Sequence, residues 1–191
     1  MLCGRKAAFV DRDGVINRER GYVHRVQDFE FLPGAVQGLL ELQAQGYLLA
    51  VVTNQSGIAR GYYTLGEYEA VAAHMVVELA SRGVALAGIE HCPHLPDASV
   101  PEYRRRCTCR KPEPGMLLSL ATRLGIDLAA SILVGDKLSD IQAGRAAGVG
   151  RCYLVRSGHA LSEADTVSAD GVFDDLAACA AALADVPGRA P

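Results

Sequence analysis

KAAFVDRDG, residues 6–14, decides how this chain is read. Ala7 to Val10 form a short unbroken apolar run, too short for a helix, that stops at the Asp11-Arg12-Asp13-Gly14 turn. A strand buried on both faces of a parallel sheet has this look, because neither side meets water. In open α/β sheets, ligands sit just beyond the carboxyl ends of such strands. Two carboxylates at i and i+2 leaving the sheet there can converge on one small site. Gly14 allows the close turn that convergence requires.

The pattern repeats outward from this stretch. Helical spacing is expected over residues 35–45, between Pro33-Gly34 and Gly46. YLLAVVT (47–53) is the clearest further strand. A helix over 64–81 opens with the capping pair Thr64 and Glu67 and stops before Gly83. Strands are expected at 88–91, 131–134, 152–155 and 171–173, and helices at 114–124, 139–147 and 176–183. An irregular loop runs from Cys92 to Pro112. Alternation of this kind implies a mostly parallel sheet with helices on both faces.

Three further groups stand where such a sheet needs its chemistry. Thr53-Asn54-Gln55-Ser56-Gly57 follows the second strand as a hydroxyl and a polar turn, an arrangement that can cradle an anion through backbone N–H groups. Gly135-Asp136-Lys137 follows the fourth strand, with Asp140 one helical turn on. By itself either aspartate reads equally well as a helix cap. Arg110-Lys111 precedes the next helix on backbone stiffened by Pro112 and Pro114.

At 191 residues, half hydrophobic and with a net charge of -3, the chain suits one globular domain and not a nucleic-acid-binding surface. No apolar run reaches the ~20 residues that span a bilayer, and the opening MLCGRKAAFVDRDG holds no signal-peptide core. A cytoplasmic address with reduced thiols is the expectation. Of six cysteines, Cys92, Cys107 and Cys109 crowd one segment, while Cys3, Cys152 and Cys179 read as isolated, small buried residues. Cys92-x-His94 and Cys107-x-Cys109 supply three thiolates and an imidazole, a closed tetrahedral shell for structural Zn²⁺. His91 competes as a ligand, but Pro93 bends the chain so that Cys92 and His94 face one ion.

Taken in order, Asp-x-Asp-Gly, the Thr53 strand end, Lys111 and Gly-Asp-x-x-x-Asp resemble the haloacid dehalogenase (HAD) superfamily. The resemblance implies a three-layer, Rossmann-like α/β fold with a central parallel sheet and no large cap domain. It would be a single domain over 1–191 with a zinc-binding loop at 92–109. It also implies a Mg²⁺-dependent phosphatase with Asp11 as nucleophile and Asp13 as general acid and base. The Mg²⁺ ligands would be Asp11, Asp13 through its carbonyl, and Asp136. Thr53 and Lys111 would hold the phosphoryl oxygens, and Asp140 would orient Lys111 or the metal waters.

FVDRDGVIN (9–17), VVTNQSGIARG (51–61), CPH (92–94), CTCRKPEPGM (107–116) and LVGDKLSDIQAG (133–144) are similar to the D-glycero-D-manno-heptose 1,7-bisphosphate 7-phosphatase family, whose product leads to ADP-heptose for lipopolysaccharide. That likeness implies a small sugar bisphosphate as substrate and a monomer, with no nucleic-acid or membrane partner. Glu19, Arg20, Gly21 and Tyr22 would form a substrate-contacting loop, joined by Asn54, Gln55 and Ser56. Arg110 would recognise the distal part of the substrate, and Lys137 would face it. Histidinol-phosphate phosphatase, with similar motifs and zinc loop, is the nearest rival; a non-catalytic zinc-stapled binding module is the alternative of another class.

Overall fold

The computed structural model of the chain describes residues 4–184. Cys3 lies outside them. Strand β1 (Ala7–Val10) is buried on both faces: Ala8 and Val10 enter one apolar cluster, Ala7 and Phe9 the other. The remaining strands are β2 (Leu48–Asn54), β3 (Leu86–Cys92), β4 (Ile132–Gly135), β5 (Arg151–Val155) and β6 (Gly171–Phe173). They form one sheet in the order β3-β2-β1-β4-β5-β6, and every pair is parallel.

Helices cover both faces. Helices α1 (Ala35–Ala44), α3 (Leu65–Ser81) and α7 (Leu176–Ala184) bring Leu39, Leu42, Met75, Leu79 and Leu176 to one side. Helices α4 (Gly115–Leu124) and α5 (Leu138–Ala147) bring Met116, Leu117, Leu120 and Ile141 to the other. Each fully buried side chain of this size contributes roughly 1.5–3 kcal/mol, so the two apolar layers, not the polar rim, supply most of the folding drive. No large cap is inserted into the sheet among the described residues. Among the described residues no helix is long and apolar enough to cross a membrane.

Two short helices go beyond the expected elements. Helix α2 (Ser56–Arg60) starts directly after β2 and is stopped by Gly61. Helix α6 (Glu163–Val167) is opened by a Ser162–Asp165 capping box. Both are a little over one turn, too short for a periodic signal. Strand β3 begins at Leu86 rather than 88 and runs through Cys92, so the first thiol stands on the sheet itself. The capping box of α3 forms as expected: the Thr64 hydroxyl accepts from the Glu67 N–H while the Glu67 carboxylate accepts from the Thr64 N–H. Cys152 and Cys179 are buried, free thiols.

Strand order reverses beside β1, and this sets the position of the site. Val10 lies opposite Val51 of β2 and Val134 of β4, and the Asp11 N–H donates to the Val134 carbonyl at 3.0 Å. Asp11, Thr53 and Asp136 therefore leave the sheet at one rim.

Candidate active site

Each strand end delivers one group to that rim, and Lys111 arrives from the loop before α4. The Lys111 ammonium donates to the Val52 carbonyl at 2.9 Å and pairs with Asp11 Oδ1 at 3.0 Å and Asp140 Oδ1 at 2.5 Å. One ammonium thus joins the end of β1, β2 and α5 at once. The Asn54 amide clasps the same residue from behind, donating to the Lys111 carbonyl and accepting from its N–H, both at 3.0 Å. Burial opposes the charge on Lys111, but Asp11 and Asp140 outweigh it and hold the ammonium above its ordinary range.

At Asp11 the balance falls against the charged form. Burial, with Asp140 and Asp13 nearby, outweighs Lys111 and raises its carboxyl to about 6. Its recorded partners, the Arg12 N–H at 2.8 Å and Lys111, both fall on Oδ1. Burial likewise raises Asp136, and the Asp11 charge adds to it. Carboxylate oxygens of Asp11, Asp136 and Asp140 lie within 4.8 Å of one another. Three buried carboxylates against one ammonium leave an excess of negative charge. Asp136 Oδ1 is buried with no hydrogen-bond partner among the described residues. An oxygen-rich, uncompensated pocket of this kind fits a hard divalent cation.

Asp13 is held apart from this group. Arg12, itself buried, donates from Nη2 to both carboxylate oxygens at 2.8 and 2.9 Å and from Nε at 3.1 Å; Asn17 and Gln55 each add a donor at 3.0 Å. Burial opposes ionisation, but Arg12 and these donors hold Asp13 below the usual carboxylate range. Arg12 appears in the sequence only as the spacer of Asp-x-Asp, and nothing in the local pattern signals that it is the counter-ion.

Gln55 borders the second hollow while its side-chain amide bonds protein groups. Its side chain is buried among protein groups: Nε2 donates to Asp13 and to Thr53 Oγ1 at 2.8 Å, and Oε1 accepts from the Tyr63 hydroxyl at 2.6 Å. Because Thr53 Oγ1 accepts from Gln55, its own hydroxyl proton stays free to donate. Asn54, as above, spends its side chain on Lys111. Arg20 stands apart: its exposed guanidinium pairs with Glu30 and does not line the cleft.

Two adjoining hollows open over the rim. One, of ≈ 240 Å³, is lined by Asp11, Asp13, Thr53, Arg110 and Lys111, with Ser139 joining from α5. The other, of ≈ 300 Å³, is lined by Tyr22, Gln55, Tyr63 and His159. Glu19, Asn54, Ser56 and Lys137 border both. Gly21 and Tyr22 share the turn whose N–H groups donate to Glu19 Oε1 at 2.7 and 3.1 Å. That hold keeps Tyr22 at φ 71°, a conformation that side-chain-bearing residues seldom adopt and that concentrates at ligand sites.

Beside the rim, Cys92, His94, Cys107 and Cys109 converge. Their sulfur atoms lie 3.1–3.5 Å apart, and His94 Nδ1 lies 3.7 Å from Cys92 Sγ and 3.4 Å from Cys109 Sγ. A tetrahedral shell with bonds of about 2.3 Å to sulfur has edges near 3.8 Å, so the four donors are spaced to share one ion. His91 stands outside this group, its ring 4.4 Å from that of Tyr68.

Comparison with known proteins fits this geometry. A HAD-hydrolase-like family model matches residues 108–179. The D-glycero-beta-D-manno-heptose-1,7-bisphosphate 7-phosphatase of Escherichia coli K12 is 51% identical over 171 residues, covering 90% of each chain. The chain belongs to the heptose-1,7-bisphosphate 7-phosphatase family. Another family member, the D-glycero-alpha-D-manno-heptose-1,7-bisphosphate 7-phosphatase of Photorhabdus laumondii, is 48% identical over 83% of this chain and 86% of its own. Among solved structures, the D,D-heptose 1,7-bisphosphate phosphatase of B. bronchiseptica, complexed with magnesium and phosphate, superposes with a TM-score of 0.78 at 35% identity. That match covers 94% of this chain and 98% of the other. Relatives of this family named for either anomer thus resemble the chain almost equally.

Proposed function

We propose that the chain hydrolyses the 7-phosphate of D-glycero-D-manno-heptose 1,7-bisphosphate through an aspartyl-phosphate on Asp11, on the route to ADP-heptose. The observation that carries this reading is the meeting of Asp11, Asp136 and Asp140, two of which also pair with the Lys111 ammonium. In a HAD-like heptose phosphatase family, that set matches the needs of phosphoryl transfer, which rests on positioning and charge stabilisation.

Asp11 attacks phosphorus, since Lys111 holds Oδ1 and leaves its other oxygen to the cleft. Thr53 donates its free hydroxyl proton, and Lys111 its charge, to the phosphoryl oxygens. Asp13 passes a proton to the leaving sugar oxygen and then takes one from the attacking water. For the first of these it must carry a proton, so its hold on Arg12 loosens as the dianionic substrate enters. Asp11, the Asp13 carbonyl and Asp136 would hold Mg²⁺, which supplies the positive charge that two carboxylates and a phosphate dianion need. Asp140 keeps Lys111 aimed. Glu19, Gly21 and Tyr22, with Ser56 and Lys137, border the sugar, and Arg110 meets the distal phosphate as a second cation. Residues 1–191 act as one catalytic unit, and zinc on Cys92, His94, Cys107 and Cys109 orders the 92–109 loop. The unit works as a cytoplasmic monomer.

Phosphate release from both anomers of the heptose bisphosphate and from histidinol phosphate, with Mg²⁺ and with EDTA, tests the reading. The expected result is a kcat/KM at least tenfold higher for a heptose bisphosphate, abolished by EDTA, given that a missing charged contact costs about 1.5–3 kcal/mol. A preference for histidinol phosphate overturns the substrate; release that EDTA leaves unchanged overturns the cation.

A further inference from the structure

Asp136 is wrapped by a segment that neither motif nor charge pattern singles out. Directly after β5, Ser157-Gly158-His159 folds back over the ends of β1 and β4. The Ser157 hydroxyl donates to the Gly14 carbonyl at 2.8 Å, pinning the segment to the turn that carries Asp11 and Asp13. Two residues on, His159 gives both of its nearby donors to one oxygen. Its N–H lies 3.1 Å and its Nδ1 2.6 Å from Asp136 Oδ2.

The fit around that oxygen is tight. A Cβ added at Gly14 would stand 2.4 Å from Asp136 Oδ2, and one added at Gly158 would stand 2.1 Å from it. Gly14 and Gly158 therefore both close on the same carboxylate with no room for a side chain. With Oδ2 fixed in this way, Oδ1 is left buried and unpartnered among the described residues. A buried acceptor without a donor costs about 1–3 kcal/mol, and more when charged. Such a cost persists where a partner other than a protein group meets the atom.

We propose that His159 is a positioning residue for the divalent cation: by holding Asp136 Oδ2 it aims Oδ1 at the ion shared with Asp11. The inference rests on the cation-dependent reading above. Ligands of bound metals are oriented by hydrogen bonds of this kind from residues that do not themselves touch the ion. The His159 ring is also about half exposed and lines the hollow that holds Tyr22 and Tyr63. It is not a core residue whose removal would collapse the fold.

Mn²⁺ titration of the full zinc-loaded chain, followed by electron paramagnetic resonance without substrate, reads the effect directly. Loss of an orienting residue of this kind weakens metal binding about 10- to 100-fold, so His159→Ala is expected to raise the Mn²⁺ dissociation constant at least tenfold. Its rate should recover at saturating Mg²⁺. His159→Asn keeps a donor where Nδ1 stands and is expected to stay within about threefold of wild type. An Ala variant that binds Mn²⁺ as tightly as wild type overturns the proposal, and so does an Asn variant as weak as Ala. Wild type that binds no Mn²⁺ overturns the cation reading itself.

Discussion

The rim and the cysteine loop lie side by side and are held together in opposite ways. At the rim, Asp11, Thr53 and Asp136 stand on ends of hydrogen-bonded parallel strands, and Lys111 ties three elements together through one ammonium. The 92–109 segment has only the 3₁₀ turn Pro101–Tyr103 as regular structure between its ligand pairs. Leu95 and Ala98 pack on Ala59, the Leu95 N–H donates to the Tyr103 carbonyl at 3.1 Å, and four soft donors converge at the two ends of the segment. The two regions meet at Arg110-Lys111, immediately after Cys109. Geometry at the rim is thus built into the sheet, while on the proposed reading an ion would complete the loop's geometry, and the loop would pass that dependence to Lys111.

Breaking the rim at its nucleophile gives the largest expected effect on rate. Asp11→Asn should lower kcat by at least about 10⁴-fold, as loss of a nucleophile does elsewhere. Unfolding of this variant should shift little or upward, because one of three clustered buried carboxylates loses its charge. Far-UV circular dichroism and phosphate release together check this.

Lys111→Ala removes the cation paired with both Asp11 and Asp140. Leaving a buried charge unpaired costs about 3–5 kcal/mol, to be read in denaturant unfolding, with activity lost alongside. Cys109→Ser attacks the loop instead. Zinc content measured by mass spectrometry should fall, proteolytic cleavage should appear within residues 95–106, and kcat should drop by about tenfold, since a small misplacement of Lys111 is costly. Asp11→Asn should keep its zinc, and that contrast separates the two regions. Arg20→Ala should do least, because its exposed pair with Glu30 is worth under about 1 kcal/mol and it stays out of the cleft. A KM rise above about threefold would bring Arg20 into substrate contact during turnover.

Much of this contrast was legible in the residues. The apolar run before Asp11, the Thr53 strand end and Gly135-Asp136 marked the rim, because a buried parallel strand has a pattern of its own and its carboxyl end has a known use. The cysteine pairs were equally plain. Tertiary reach was not. Arg12 occupies the spacer of Asp-x-Asp, and its role as counter-ion to Asp13 depends on burial against Tyr68 and Gln55. Asn54 and Gln55 read as part of a backbone cradle, and the sequence does not show that their side-chain amides also bond Lys111, Asp13 and Thr53. Asp140 had two readings, helix cap and partner of Lys111, and it is both: Oδ2 accepts the Lys137 N–H at 3.1 Å while Oδ1 meets the ammonium. His159 carries no local signal, because the segment after β5 reaches Gly14 and Asp136 only once the chain has folded.

The stereochemical course at phosphorus tests the covalent account most directly. Hydrolysis of a chiral, oxygen-labelled phosphorothioate analogue of the substrate in isotopically labelled water reports how many displacements occur. Attack by Asp11 followed by attack by water inverts the centre twice, so the account predicts net retention. Net inversion would mean that water strikes the substrate directly, and Asp11 would lose its role as nucleophile.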